Sequence, residues 1–447
     1  MIMKKLVVLG GGESGVGTAL LARQKGWDVF LSDKGMLKDE YRQELVEAGI
    51  SFEEGAHSIE RIMEADEVVK SPGIPDKVEL VVALKQKGIP VLSEIEFAAR
   101  YTSAKKICIT GSNGKTTTTL LIHHILRQAG IKAELAGNVG TSMARRIASG
   151  TDPDWYVVEL SSFQLDGMYR FKADIAVLTN ITPDHLDRYD YQFENYIRSK
   201  FRILQNQTAT DFFIYCDDDA VTLKALLETH CEARQLPFSL NHQLAQGGSL
   251  EGRVLTLVVD NRTVSVPVDR LPIKGRHNQY NVMAASLVAL LLKLDQEVIL
   301  QGLYSFKGVE HRLEPVGTVR GVDYINDSKA TNVDSAWYAL ECMTQPVVWI
   351  AGGTDKGNDY STLYGLAGQK VKALVCLGKD NSKLLASFQG KVPHIVETSS
   401  MADAVQVASG LAQPGDVVLL SPCCASFDLF NNYEHRGELF KSCVHSL

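Results

Sequence analysis

Several features are missing from the sequence, and each absence removes a class of function. No apolar run is long enough to span a bilayer: the longest, residues 284–294, is broken by Ser286 and Lys293. The start of the chain, Met1 to Leu9, has two lysines and a short apolar stretch that runs at once into glycines. That stretch is too short for the apolar core of an export signal, so a cytoplasmic protein is expected. The eight cysteines are scattered and no C-x-x-C pair occurs, which fits reduced thiols in a cytoplasm. Cys423 and Cys424 are adjacent; redox or metal chemistry is open to such a pair, and buried packing beside a loop is the plainer reading. The net charge of −7 lacks the positive field that general nucleic-acid binding needs, while local basic sites for phosphates remain open. Neither nucleic acid nor membrane is an expected partner.

What is present begins with size. With 447 residues, 45% of them apolar, the chain can fill about two to four cores of ordinary domain size. Its organising stretch is Lys106-Ile107-Cys108-Ile109-Thr110-Gly111-Ser112-Asn113-Gly114-Lys115-Thr116-Thr117. This reads as a buried strand, a tight glycine turn and a helix start, with the helix continuing through Leu120, Leu121, Ile122, Ile125 and Leu126 to a stop at Gly130. Backbone N–H groups and the helix dipole then converge on a phosphate chain. Lys115 is placed to reach the terminal phosphates, and the Thr116 hydroxyl to meet Mg²⁺. The spacing G-x-x-G-K-T is shorter than the usual phosphate-loop pattern, and the bland alternative is a strand-to-helix turn with an exposed lysine.

Upstream, residues 5–9 form a strand that leads into Gly10, Gly12 and Gly15 in the pattern G-x-G-x-x-G. A helix, a strand from Asp28 and an acidic residue at Asp33 follow, the fingerprint of a dinucleotide-binding fold. The physics requires only a phosphate-bearing ligand at the helix start and a ribose or base near Asp33. Ser71-Pro72-Gly73-Ile74-Pro75 closes a strand at the same sheet edge, so Ser71 either touches that ligand or is an ordinary turn residue.

A join is expected over residues 96–104. Beyond the phosphate loop, Ala136 to Gly140 is a glycine-flanked turn, and residues 154–160 form a buried strand tipped by Glu159, an acidic partner for Mg²⁺. The strand from Ala173 to Thr179 leads to Asn180-Ile181-Thr182-Pro183-Asp184-His185, which puts His185 at the strand-tip edge. In the next helix Ile197, Lys200, Phe201 and Leu204 share one face, so Lys200 falls in the apolar stripe, where a snorkelling lysine is the bland explanation. Residues 208–272 read as alternating strands and turns without chemistry. Asn278 and Asn281 open an apolar helix, to cap it or to read a base edge. From Ser305 onward, strands alternate with helical stretches, which implies a parallel sheet covered on both faces with polar loops after its strands.

Taken together, the 110–117 loop, the Glu159 strand, Asn180 to Asp187, His277-Asn278 and His311-Arg312 resemble the Mur ligases, with folylpolyglutamate synthases as relatives. Asn326 to Asn332, Ser71 to Ile74 and Ser421 to Ser426 are similar to the branch that adds D-glutamate. The resemblance runs the length of the chain. It implies an α/β protein of three domains: a Rossmann-like domain over 1–98 for a UDP substrate, a P-loop ATPase domain over 99–305, and a Rossmann-like domain over 306–447 for the incoming amino acid. The implied reaction uses ATP and two Mg²⁺ ions to join D-glutamate to UDP-N-acetylmuramoyl-L-alanine through an acyl phosphate, in a monomer.

The resemblance also implies residue roles. Gly111, Ser112, Asn113, Gly114, Lys115, Thr116 and Thr117 would hold ATP phosphates, Asn281 the adenine, and Arg312 and Asp327 the phosphate and ribose. Thr116, Glu159, His185 and a carbamylated Lys200 would serve the metals, with Lys115, His185 and Lys200 catalytic. Ser14, Gly15, Asp33, Ser71, Asn138 and His185 would bind the UDP substrate. Lys329, Thr331, Lys356 and Ser426 would hold D-glutamate, with Tyr433, where the family usually has Phe, lining that pocket. Lys34-Gly35-Met36 departs from the polar run expected beside uracil. The competing readings are an NAD-dependent oxidoreductase resting on Gly10 to Asp33, a nucleotide-gated binding module, and a sibling or folylpolyglutamate synthase-like ligase for another amino acid.

Overall fold

The computed structural model describes residues 3–447; Met1 and Ile2 of the short apolar start lie outside them. Three sheets follow one another along the chain. The first is fully parallel and runs Ser51–Glu54, Asp28–Asp33, Lys5–Leu9, Glu67–Lys70, Val91–Leu92 in space. Its order reverses between Lys5–Leu9 and Glu67–Lys70, and the crevice beyond the strand ends at such a point is where α/β sheets hold ligands.

The second sheet has nine strands. Ala133–Gly137, Trp155–Glu159, Lys105–Thr110, Ile175–Leu178, Phe212–Cys216, Arg234–Ser239 and Gly247–Glu251 are parallel neighbours, and Val254–Val259 and Arg262–Pro267 add an antiparallel end. The burial pattern tracks the connections. Trp155–Glu159 is apolar and buried almost throughout, as a parallel strand covered on both faces must be, whereas Val254–Val259 alternates buried with half-buried residues. Residues 208–272 depart from the expected run of strands: Ala220–Glu228 is a helix. Its sequence is apolar nearly all round and buries only Thr222 fully, so no helical period stands out.

The third sheet runs Glu314–Val319, Val322–Asn326, Val417–Cys423, Val347–Gly352, Val371–Leu377, His394–Thr398. It is parallel except for its first strand, an antiparallel edge that the sequence reading did not contain. Alternate residues of the buried strands feed two separate cores: Trp349 and Leu419 face one, Val348, Ile350 and Val418 the other.

Two compact units result. One takes the chain through Arg270 and again over Tyr280–Ser305; the other holds Leu271–Gln279 and Phe306–Leu447. The first two sheets share the first unit because a single apolar cluster joins them, with Val8, Leu31 and Phe97 packed in continuity with Tyr156, Val158 and Tyr196. No helix among the described residues is long and apolar enough to cross a membrane.

Candidate active site

The phosphate loop follows Lys105–Thr110, between the tips of Trp155–Glu159 and Ile175–Leu178. Gly111 sits at φ +144, and a Cβ there would lie 1.9 Å from Thr179 Oγ1, so only glycine fits. The loop is tied to the neighbouring tip on several atoms. Asn113 N donates to Asn180 Oδ1 at 2.9 Å, Asn180 Nδ2 returns a bond to Asn113 O at 3.1 Å, and Thr182 N donates to Ser112 Oγ at 2.9 Å. The helix Lys115–Gln128 starts directly from it, with the expected stop at Gly130. Thr116 and Thr117 are buried in its first turn.

Two lysines meet on one oxygen. Lys115 Nζ donates to Gly111 O at 2.8 Å and Ser112 O at 2.9 Å, while Lys200 Nζ reaches Gly111 O at 2.8 Å and Thr110 Oγ1 at 3.2 Å. Lys200 is 2% exposed, so it does not snorkel: its amine ends under the phosphate loop. Burial first, then the Lys115 charge, pushes the Lys200 amine well below the usual lysine range, against a partial pull from Asp184, Glu159 and Asp166. Its helix is Phe193–Phe201, tightening to a 3₁₀ turn over Arg202–Leu204; Tyr196 and Ser199 join Lys200 and Phe201 inside, and Ile197 is half-buried.

Glu159 and Asn138 are paired, Asn138 Nδ2 donating to Glu159 Oε1 at 2.9 Å. Glu159 Oε2 is buried without a hydrogen-bond partner among the described residues. A desolvated carboxylate oxygen left open beside a phosphate loop fits a cation. His185 stands in the left-handed region at φ +51, its ring edge-on to Phe163 with centroids 5.2 Å apart and its Nε2 3.5 Å from Asp184 Oδ2. Asn281 is buried with its Oδ1 accepting the Thr118 hydroxyl at 3.1 Å, on the phosphate-loop helix.

In the first sheet the glycine loop closes on Ser71: a Cβ on Gly10, at φ +98, would lie 2.7 Å from Ser71 Cβ. Asp33 holds the loop from within, accepting Gly11 N at 2.5 Å and Gly35 N at 2.7 Å. Ser14 and Gly15 open the helix Glu13–Gln24, and Met36 stands exposed beyond Asp33. Side chains lock this edge to the second sheet. Glu13 Oε1 accepts Arg145 Nε at 2.9 Å, Glu94 Oε1 accepts Ala144 N at 2.5 Å, and Arg188 Nη2 donates to Pro72 O at 3.1 Å. The Ser71 and His185 loops are therefore neighbours.

The second unit gathers another set. Asp327 is buried, with Oδ2 accepting Ser421 Oγ at 2.9 Å and Oδ1 accepting Leu313 N at 3.2 Å; burial pushes its carboxyl up to about 7. Arg312 adjoins Leu313 on that chain segment. Lys329 lies over the Tyr433 ring at 3.6 Å, and Thr331 N donates to Lys329 O at 2.8 Å. Ser426 is buried after the Val417–Cys423 strand, and Lys356 is exposed on the loop after Val347–Gly352. Cys423 and Cys424 are buried free thiols in this turn, and burial raises both thiol pKa values.

The sequence reading missed Arg436. It is 1% exposed, donating from Nε to Ser328 Oγ at 3.0 Å, from Nη2 to Ser328 O at 2.8 Å and from Nη1 to Cys424 O at 3.2 Å. One guanidinium thus fastens the Asn326–Asn332 loop to the Cys424 turn. The available signal was only an arginine one turn into a helix that begins at Tyr433.

A phosphate loop with a buried open carboxylate, set in the second of three α/β sheets, defines a nucleotide-using α/β enzyme. The Mur ligase middle domain matches residues 109–289, the Mur ligase glutamate ligase domain 311–424, and the MurD N-terminal domain 5–80. The UDP-N-acetylmuramoylalanine--D-glutamate ligases of Christiangramia forsetii and Bacteroides fragilis are each 52% identical, over 99% and 100% of this chain and 100% of theirs. That of Salinibacter ruber is 42% identical over 99% of this chain and 98% of its own. Among solved structures, the UDP-N-acetylmuramate-alanine ligase MurC of Thermotoga maritima aligns over 100% of both chains with a TM-score of 0.63 at 19% identity. The MurF ligase of the same organism, in complex with ADP, aligns over 94% of this chain and 95% of its own with a TM-score of 0.61 at 15% identity, a likeness of fold. The chain belongs to the Mur ligase family.

Proposed function

We propose that the chain joins D-glutamate to UDP-N-acetylmuramoyl-L-alanine at the expense of ATP, in the synthesis of peptidoglycan precursors. The observation that carries this reading is the end-to-end match, at 52% identity, to ligases named for that substrate pair. Residues 1–98 are assigned to the UDP substrate, 99–305 to ATP and 306–447 to D-glutamate. A monomer in the cytoplasm is proposed.

Amide formation from a carboxylate needs one oxygen turned into a leaving group. ATP phosphorylates the alanyl carboxylate, the D-glutamate amine attacks the acyl phosphate, and phosphate departs from the tetrahedral adduct. The residues of the phosphate loop, Gly111 to Thr117, cradle the ATP phosphates through their N–H groups, and Lys115 leaves its carbonyl partners to meet the terminal phosphate. Thr116, Glu159 and His185 are the groups proposed to hold Mg²⁺, whose charge offsets that of the transferred phosphoryl group. Asn138 fixes the Glu159 carboxylate from one side, leaving the other oxygen for the cation. Ser14, Gly15, Asp33, Ser71, Asn138 and His185 bind the UDP substrate along the locked edge between the first two sheets. Asp33 does so through the shape of the loop, which it holds by accepting the N–H groups of Gly11 and Gly35.

Asn281, Arg312 and Asp327 are assigned to the rest of the nucleotide, and Lys329, Thr331, Lys356 and Ser426, with Tyr433, to D-glutamate. Lys200 is proposed to carry a carbamate. A neutral buried amine forms an N–C bond to CO₂ and releases one proton to solvent, so that a carbamate anion that attracts the metals stands where an ammonium would repel them. Incubation with ATP, Mg²⁺, UDP-N-acetylmuramoyl-L-alanine and D-glutamate should yield a UDP product heavier by one glutamyl residue in mass spectrometry. Hydrolysis of ATP with no such product would overturn the proposal.

A further inference from the structure

The loop that carries Lys356 has no regular structure, yet every neighbour of Lys356 is fastened. Asp355 is the hub. Its Oδ1 accepts Gly357 N at 2.6 Å, Asn358 N at 3.0 Å and Lys383 Nζ at 3.0 Å, and its Oδ2 accepts the Tyr360 hydroxyl at 2.7 Å. Tyr360 is itself buried, tilted against Phe388 in the core. The turn is thus closed by one carboxylate and anchored to the sheet through a buried phenol.

The same loop is riveted to the Ser426 turn on both sides of Lys356. Before it, Thr354 and Ala425 exchange backbone bonds, N to O at 2.8 Å and 3.2 Å. After it, Asn358 Nδ2 donates to Cys423 O at 3.1 Å and lies 3.5 Å from Cys424 Sγ. Ser426 directly follows Ala425, so the two loops that end adjacent strands are tied together on both sides of Lys356.

We propose that Asp355 and Asn358 are positioning residues that hold Lys356 at a fixed reach from Ser426 and thereby set the affinity for the carboxylate of the incoming amino acid. This rests on the assignment of Lys356 and Ser426 to D-glutamate. A lysine on a free loop must give up backbone and side-chain freedom when it pairs with a carboxylate, and here the backbone part has been given up on folding. The Asp355 charge does not oppose the ligand, because Lys383 and three further donors already face it.

The test is steady-state kinetics of Asp355→Ala, Asp355→Asn and Asn358→Ala, with melting temperatures alongside. Asp355→Ala and Asn358→Ala should raise the KM for D-glutamate by about tenfold, the loss of one hydrogen bond to a charged group, with kcat and the KM for ATP within about twofold. Asp355→Asn keeps the oxygen that accepts the two loop N–H groups and should recover most of the loss. If Asp355→Ala melts early, Asn358→Ala, which leaves the turn itself intact, decides. An unchanged KM for D-glutamate in folded Asn358→Ala, or an equal rise for ATP, overturns the proposal while leaving the D-glutamate site standing. A wild-type protein whose turnover ignores D-glutamate removes the underlying assignment and the proposal with it.

Discussion

At the scale of residues, the account turns on two lysines that share the Gly111 carbonyl. Lys115 lies on that oxygen from within the helix start, and Lys200 from beneath. The carbonyl accepts from both side chains, and a phosphate chain would compete for Lys115. Lys115→Ala should therefore cut turnover by about 10²–10³-fold, the usual cost of removing one charge-directed donor, with circular dichroism unchanged. Near-normal turnover in a folded variant would sink the role. Lys200→Ala should also lose most activity, with partial recovery on adding formate or acetate, and intact-mass spectra of active enzyme should show one added carbon dioxide. Active enzyme carrying only plain lysine would refute the carbamate. The helical stripe announced that Lys200 would be buried, but nothing local announced its partner, which lies 89 residues away in sequence. Arg436 was illegible for the same reason: one of the two loops it joins is held at Ser328, 108 residues away in sequence.

At the scale of elements, strand–loop–helix units were the most legible, because glycine position and short apolar runs are local signals. Lys105–Thr110 with its helix, and Lys5–Leu9 with its helix, stand where glycine spacing put them. Ala220–Glu228 was not legible, since a helix apolar nearly all round carries no period, and the antiparallel edge Glu314–Val319 depends on a pairing that periodicity does not encode. The short helix Glu94–Ala98, which leads from the first sheet to the second, carries its own pH dependence. Burial pushes the Glu94 carboxyl up from 4.5 to about 7, partly offset by the N–H groups of Ala144 and Met143. Glu94 Oε2 is buried without a hydrogen-bond partner among the described residues. The folded chain holds this proton where the unfolded chain has released it. The stabilisation by the neutral group is thus complete below pH 4.5 and lost as pH rises to about 7. Urea melts at the two ends of that window should show Glu94→Gln removing a slope of at most ~1.4 kcal/mol per pH unit. Identical slopes in wild type and variant would contradict the burial argument.

At the scale of the whole molecule, each of the three sheets carries its own loops: a glycine loop against Ser71 on the first, the Gly111–Thr117 loop beside the strand tipped by Glu159 on the second, and paired loops around Lys356 and Ser426 on the third. Each stands at the carboxyl ends of parallel strands, as the topology of open α/β sheets requires. No one of these loops identifies the reaction. A glycine loop with Asp33 suits many nucleotides, and a phosphate loop suits many uses of ATP. Along the chain they fall in turn within or beside the stretches matched by the MurD N-terminal, Mur ligase middle and glutamate ligase domains. The most direct test of the central claim is phosphate release from ATP in the presence of UDP-N-acetylmuramoyl-L-alanine, measured against a panel of amino acids. The account predicts release that needs both the UDP substrate and D-glutamate, and that L-glutamate, L-alanine and L-lysine fail to support. Release that proceeds without an amino acid, or that another amino acid supports better than D-glutamate, would contradict it.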